Sequence, residues 1–251
     1  MNIDLTGHRA IITGAGSGIG RQVAFIMAAS GADVAVADIN LEAAEETVKT
    51  ISQNGGKAKA FLVDVTSRQS IQILRPKVES ALGVCDILVN GAGWGVTIPF
   101  LNNEPDFIDR VVALNLMGEI NMCHTFLPPL VEKGIRGWVV NLSSDAGRVG
   151  SLGQSVYAAA KGGVIAFTKS LAREMARHNI NVNCVAPGPT DTPLFRSESE
   201  KLQAALIRAV PLRRLGDPSE IAYVVTFLAS EQASYVTGQV ISVSGGLTMA
   251  G

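Results

Sequence analysis

The sequence predicts one α/β domain, residues 1–251, built on an open, doubly wound parallel sheet of about seven strands with helices on both faces. Three observations carry that expectation. Short β-branched runs alternate with helical patterns along the whole chain. The connections between them are short. Chemistry-bearing residues recur at the carboxyl ends of the runs, where open parallel sheets gather their ligands.

The first run, Arg9-Ala-Ile-Ile-Thr13, leads directly into Gly14-Ala-Gly-Ser-Gly-Ile-Gly20, and a helical pattern follows over 21–29 with Gly31 as its cap. Strand, glycine loop and helix together make a phosphate-binding arrangement. Glycines let the backbone approach a pyrophosphate, and the helix N-terminus presents unpaired N–H groups with a partial positive charge. The spacing Gly14-x3-Gly18-x-Gly20 fits Gly-x-Gly-x2-Gly in no register, and a glycine loop alone also serves as a plain turn. The second run, 33–37, ends at Asp38. An acid at that tip is placed to accept hydrogen bonds from adenosine ribose hydroxyls and to repel a 2′-phosphate, which favours NAD over NADP. Ser17 and Ile39 agree, because neither offers the basic side chain a 2′-phosphate needs. As a turn residue before a helix over 41–54, Asp38 also has a plainer reading.

The rhythm continues with a strand over 59–63 ending at Asp64-Val65, a helix over 67–82, and a strand over 86–89 ending at Asn90-Gly-Ala-Gly93. After Pro105 a helical pattern covers 107–130 with Asn115 inside it. Asn is a mediocre helix former, suited either to hold a carbonyl or a water in a kinked helix or to lie on the surface. The apolar run 138–142 opens through Ser144 onto a loop over 145–153, followed by a helix over 154–177 and a strand over 181–186. Pro187-Gly-Pro-Thr-Asp-Thr-Pro193 forbids regular structure, and the excursion over 190–210 is the natural lid. Asp217-Pro-Ser-Glu220 starts a helix with an N-cap, Pro at the first position and Glu at the third. A strand over 239–243 completes the sheet.

The stretch from Asn141 to Lys161 brings a hydroxyl, a phenol and an ammonium together. Tyr157 and Lys161 are four apart in an Ala-rich segment, so a helix stacks them on one face about 6 Å apart along its axis. An ammonium beside a phenol stabilises the phenolate, and moving a free phenol from pH ~10 to neutrality takes about 4 kcal/mol of such stabilisation. Ser144, at the end of the preceding strand, is placed to polarise a carbonyl. Tyr-x3-Lys by itself is also what an exposed amphipathic helix carries.

Composition sets the bounds. With 47% hydrophobic residues, 251 residues can bury a full core. The 22 acidic and 21 basic residues form no long run of one sign, which argues against nucleic-acid and polybasic membrane partners. Cys85, Cys123 and Cys184 are odd in number and widely spaced in apolar stretches, so buried reduced thiols are expected rather than a disulfide or a metal site. The N-terminus lacks the pattern of a secretion signal and the longest apolar stretch, 221–229, is too short for a span, so a cytoplasmic protein is expected.

These residues together resemble the classical short-chain dehydrogenase/reductase family, with its single-domain Rossmann fold, over essentially the whole chain. Thr13-Gly14-x3-Gly18-x-Gly20, Asp64, Asn90-x-Ala92-Gly93, Asn115, Ser144, Tyr157-x3-Lys161 and Pro187-Gly188-x3-Thr192 occur in the family's order, with Ser144 thirteen residues before Tyr157. The resemblance implies Tyr157 as acid/base, Ser144 as the donor that orients a carbonyl, Lys161 as the group that holds the nicotinamide ribose and supports the phenolate, and Asn115 as anchor of a proton-relay water. It also implies Asp64 and Val65 against adenine, Asn90 against a ribose, Pro187 and Gly188 as cofactor-binding, Thr190 and Thr192 near the carboxamide, and a homotetramer. One departure is Gly91, where the family has a second Asn. Gly93-Trp94, Ser144-Asp145-Ala146, Pro187-Gly-Pro-Thr-Asp-Thr192 and Ser244-Gly-Gly-Leu-Thr-Met249 resemble more narrowly the 2-hydroxycyclohexanecarboxyl-CoA dehydrogenase branch. That likeness implies NAD-dependent oxidation of a cyclic or bulky β-hydroxyacyl-CoA. The alternatives are a 3-oxoacyl-carrier-protein reductase, a dehydrogenase of free cyclic or aryl alcohols, and a catalytically silent dinucleotide sensor. Substrate contacts are expected from Trp94, Val96, Ile98 and Phe100 as apolar wall, from Asp145 and Gln154, and from Arg148 if it meets an anion rather than a surface ion-pair partner.

Overall fold

A computed structural model describes residues 3–249. Seven strands form one sheet: β1 (Arg9–Thr13), β2 (Asp33–Asp38), β3 (Lys57–Leu62), β4 (Ile87–Asn90), β5 (Gly137–Leu142), β6 (Ile180–Pro187) and β7 (Val240–Val243). Their order is β3-β2-β1-β4-β5-β6-β7, and every pairing is parallel. The chain winds outward from β1 to β3, then crosses back to place β4 on the other side of β1. That reversal opens a crevice between the carboxyl ends of β1 and β4.

The helices are α1 (Gly18–Ala29), α2 (Leu41–Gln53), α3 (Arg68–Leu82), α4 (Pro105–Val112), α5 (Gly118–Phe126), α6 (Pro128–Lys133), α7 (Asp145–Val149), α8 (Ser155–Met175), α9 (Pro193–Arg196), α10 (Glu200–Ala209) and α11 (Pro218–Leu228). They cover both faces because the strands are apolar on both faces. Ala10 and Ile12, Val34 and Val36, and Trp138 and Val140 point to the side where Val23, Met27, Ile221 and Val225 of α1 and α11 pack. Ile11, Ala35 and Val139 point to the opposite side, against Ile71 and Leu74 of α3 and Met122 and Phe126 of α5. The period of two along each strand therefore feeds two cores at once.

Boundaries agree with the sequence reading where caps are explicit. Asn40, Ser67 and Asp217 each cap a helix with the side chain, and Glu220 completes a capping box at α11. Three segments differ. α1 begins at Gly18 rather than 21, because the last glycines of the loop already form its first turn. The stretch 107–130 is divided by a π-helical turn at Ala113–Met117, and Pro128 starts a separate short helix. Residues 145–153, expected as loop, contain α7, capped by Ser144. Cys85, Cys123 and Cys184 are buried and free, and burial pushes all three thiols up to about 12. Among the described residues no helix is long and apolar enough to cross a membrane.

Candidate active site

The glycine loop between β1 and α1 packs so tightly that only glycine fits. Gly14 has φ +66°, and a Cβ there would lie 2.8 Å from Ala92 Cα; one at Gly20 would lie 2.3 Å from the Gly14 carbonyl oxygen. Ser17 is the N-cap of α1 but its side chain makes no capping bond, which leaves the first-turn N–H groups for an anion. Asp38, at the tip of β2, accepts from Gly16 N at 2.8 Å and from Asn40 N at 2.9 Å. Arg21 donates to the Gly16 carbonyl and lies 3.7 Å from Glu46, so its guanidinium is engaged outside the cleft. At the end of β3, Asp64 accepts from Thr66 N and Oγ1, and Val65 is buried beside it. Ser17, Gly18, Ile19, Gly20, Asp38, Asp64 and Val65 line one end of a cleft of about 1010 Å³. A glycine cradle, an uncapped helix terminus and an acid at the second strand tip fit the pyrophosphate and ribose of a dinucleotide.

The same cleft holds the hydroxyl, phenol and ammonium. Ser144, Tyr157 and Lys161 all line it. Ser144 Oγ accepts from Ala146 N at 3.2 Å, which starts α7 and keeps its O–H free to donate into the cleft. α7 lies directly on α8: a Cβ at Gly147 would sit 2.7 Å from the Lys161 carbonyl carbon. The Tyr157 ring rests on Gly95, where a Cβ would lie 2.9 Å from Tyr157 Cδ2. Lys161 Nζ donates to the Leu142 carbonyl at 2.6 Å and to Glu119 Oε1 at 2.9 Å.

No motif in the sequence marks Glu119, although an acid among Ile120, Met122 and Cys123 on a helix is a visible anomaly. It is 3% exposed and burial pushes its carboxyl up to about 7, against the pull of Lys161. Burial by itself would lower Lys161, but Glu119 and Tyr157 outweigh it and hold the ammonium above its ordinary value.

One expected contact changes. Asn90, expected against a ribose, turns into the interior at 1% exposure and donates to Asn141 Oδ1 at 2.8 Å, its register partner on β5. Asn141 in turn donates to Thr168 Oγ1 on α8 at 2.9 Å. The backbone of Gly91, Ala92 and Gly93 faces the cleft instead. Gly91 itself has a steric reason, since a Cβ there would lie 2.7 Å from the Thr13 carbonyl oxygen. Asn115 lies behind the cleft wall with its amide committed: it donates to the Trp94 and Val111 carbonyls at 2.7 and 2.9 Å and accepts from Trp94 N at 3.1 Å. Asn115, inside the π turn, thus ties its side chain back to the preceding turn of α4 at Val111.

At the mouth, Trp94 lies edge-on to Phe107 at 5.7 Å, with Arg110 stacked 4.4 Å over its ring. Val96, Ile98 and Phe100, expected as apolar wall, do not line the cleft; Val149, Leu194, Phe195 and Leu206 do. Arg148 points to β7, donating to Ser242 Oγ and the Val240 carbonyl. Asp145, 4% exposed, accepts from Ser242 Oγ at 2.7 Å and keeps Oδ2 unpartnered among the described residues. Gln154 lines the cleft and reaches Thr97 Oγ1 at 3.4 Å. Pro187, Gly188, Thr190 and Thr192 line the wall leading to the lid, where Thr192 caps α9.

A family model described as Enoyl-(Acyl carrier protein) reductase matches residues 14–248. A 3-oxoacyl-[acyl-carrier-protein] reductase of Thermotoga maritima is 40% identical over 245 residues, 98% of this chain and 99% of that protein. The human (3R)-3-hydroxyacyl-CoA dehydrogenase is 39% identical over 248 residues, covering 96% of this chain and 95% of its own. Among solved structures, a protein from Sinorhizobium meliloti described as a short-chain alcohol dehydrogenase superposes with a TM-score of 0.92 at 34% identity, covering 98% of both chains. With the fold, the dinucleotide cradle and these relatives in agreement, the chain belongs to the classical short-chain dehydrogenase/reductase family and is a nicotinamide-dependent oxidoreductase of hydroxyl and keto groups.

Proposed function

We propose that this protein oxidises a cyclic or bulky β-hydroxyacyl-CoA to the β-ketoacyl-CoA with NAD⁺, reversibly, and that 2-hydroxycyclohexanecarboxyl-CoA represents the substrate class. The observation that carries the reaction is one cleft that holds Ser144, Tyr157 and Lys161 at one end and the glycine loop with Asp38 at the other. Bound NAD⁺ supplies a hydride acceptor. Ser144 donates a hydrogen bond to the substrate oxygen, the Tyr157 phenolate takes the hydroxyl proton, and Lys161 stabilises that phenolate and holds the nicotinamide ribose. Asp38 accepts from the adenosine ribose hydroxyls, and the α1 N-terminus with its loop amides holds the pyrophosphate. Asn115 acts from behind by fixing Trp94 and the turn at Gly93.

The walls support the substrate class. Trp94, Val149, Leu194, Phe195 and Leu206 are apolar, which suits a ring or long acyl group, and Arg110 at the mouth offers charge to an anionic carrier group. A second reading, a 3-oxoacyl-carrier-protein reductase, is favoured by the 40% identical Thermotoga relative. The assay that separates them is kcat/KM with 2-hydroxycyclohexanecarboxyl-CoA, free cyclohexanol and acetoacetyl carrier protein. The thioester is expected to lead. Equal efficiency with free cyclohexanol would show that the CoA contributes no binding energy and would end the thioester assignment. Tyr157→Phe is expected to lose at least about a thousandfold in kcat while NADH still binds. Substantial turnover in that variant would remove Tyr157 from its role.

We propose further that the protein is a cytoplasmic homotetramer. An apolar groove between α5 and α8, lined by Ile120, Leu127, Val131, Phe167, Leu171 and Met175, supports association through this face.

A further inference from the structure

Lys161 is anchored from two sides. Its Nζ lies 2.6 Å from the Leu142 carbonyl at the end of β5 and 2.9 Å from Glu119 Oε1 on α5, and both side chains of the ion pair are almost completely buried. A buried ammonium is costly unless an opposite charge compensates it, and removal of one partner leaves the other uncompensated. The titratable groups facing the pair are Cys123 on α5, Cys184 on β6 and Tyr157 on α8. Both thiols are buried and neutral at working pH, so Glu119 is the counter-charge of Lys161. The carboxylate also keeps Oε2 without a hydrogen-bond partner among the described residues, so its single good contact is the lysine. Surface pairing and helix solubility, the ordinary reasons for a glutamate on a helix, do not apply at 3% exposure.

We propose that Glu119 is a positioning residue for Lys161: its carboxylate holds the ammonium charged and pins it at the floor of the cleft beside Tyr157. This rests on the dehydrogenase reading for its consequence in turnover, but not for the ion pair itself. With Glu119 neutralised, Lys161 keeps a carbonyl acceptor but loses the charge that offsets its burial, and its proton becomes easier to lose. The phenolate then loses its support.

Two measurements test this with the full-length protein and the variants Glu119→Gln and Glu119→Asp. The first needs no cofactor: NMR titration of the ε-methylene of ¹³C-labelled lysine, with the Lys161 signal assigned by its loss in Lys161→Arg. In wild-type protein the signal is expected to titrate above the ordinary lysine range; in Glu119→Gln it should fall by about three pH units or more, so that the ammonium is lost near neutrality. The second is the pH profile of kcat for alcohol oxidation. Glu119→Gln is expected to move the acid limb upward by about one unit and to lower kcat near neutrality about tenfold, while Glu119→Asp, which keeps the charge, recovers most of both. A folded Glu119→Gln protein whose lysine titration and acid limb match wild type, or whose acid limb moves down, would overturn the proposal, because a purely structural glutamate changes the melting temperature and not these. If Glu119→Gln fails to fold, the wild-type titration decides: a Lys161 signal above the ordinary lysine range supports the proposal, and one at or below that range refutes it. Should the protein prove inactive with alcohols, the cofactor-free titration still judges the ion pair separately from the reaction.

Discussion

Asp38 commits both carboxylate oxygens to backbone N–H groups, from Gly16 of the glycine loop and from Asn40 at the start of α2. Its charge is therefore held in a fixed place on the cleft wall, and a 2′-phosphate would have to approach it with the non-basic Ser17 and Ile39 beside it and with Arg21 engaged by the Gly16 carbonyl and Glu46. The expected outcome is a kcat/KM for NADH about a hundredfold above that for NADPH, and a difference narrowed at least about tenfold in Asp38→Asn, measured by steady-state kinetics. Equal efficiencies in wild type would show that Asp38 does not select the cofactor. At this scale the sequence was most legible where a side chain stands at a strand tip, as Asp38 and Ser144 do. It was least legible where a partner is remote. Nothing local to Glu119 announces Lys161, 42 residues away, and nothing local to Asn90 announces Asn141, 51 residues away. Those contacts exist only because the sheet sets β4 beside β5 and lays α8 across them.

Helix boundaries followed the same logic one level up. Caps written in the sequence were readable, while the π turn at Ala113–Met117 and the five-residue α7 were not, since a single inserted residue or a single turn leaves no periodicity to detect. The best-specified terminus is that of α11. Asp217 accepts from Ser219 N and Oγ, Glu220 accepts from Asp217 N at 2.8 Å, and Arg214 grips Glu220 through two contacts of 2.7 Å. Asp217→Ala is expected to cost about 1 kcal/mol, or roughly 2–4 °C in melting temperature. The pH dependence has a definite sign. The Arg214 guanidinium and the Asp217 N–H pull the Glu220 carboxyl down from 4.5 to about 2. A folded-state value below the unfolded one stabilises the fold fully above about 4.5, and that contribution fades as pH falls through about 2. Glu220→Gln should therefore narrow its melting-temperature gap from wild type as pH drops from 5 to 2; a constant gap would mean that the carboxylate's charge adds nothing.

For the whole molecule, mean hydropathy is +0.27 and the groove between α5 and α8 is apolar almost throughout. A monomer would leave that groove to water. Light scattering at micromolar concentration is expected to give about four times the chain mass of 26.3 kDa, and a monomer mass would refute the assembly. The fold class was legible at this scale because both-face apolar strands and short crossovers admit few topologies. The strand order has a further consequence, for the growing chain. β1 is central in the finished sheet yet first to be made: its edge toward β2 can pair once residue 38 exists, whereas its edge toward β4 stays open until residues 87–90 arrive. A nascent chain halted between those points presents Ile11 and Ile12 on an unpaired parallel edge, a template for a second nascent chain. Fragments released after residue 83 should accordingly sediment as β-rich aggregate where the longer chain stays dispersed, and once β4 has paired with β1 the open edge passes outward to β4, β5 and β6 in turn until β7 is made.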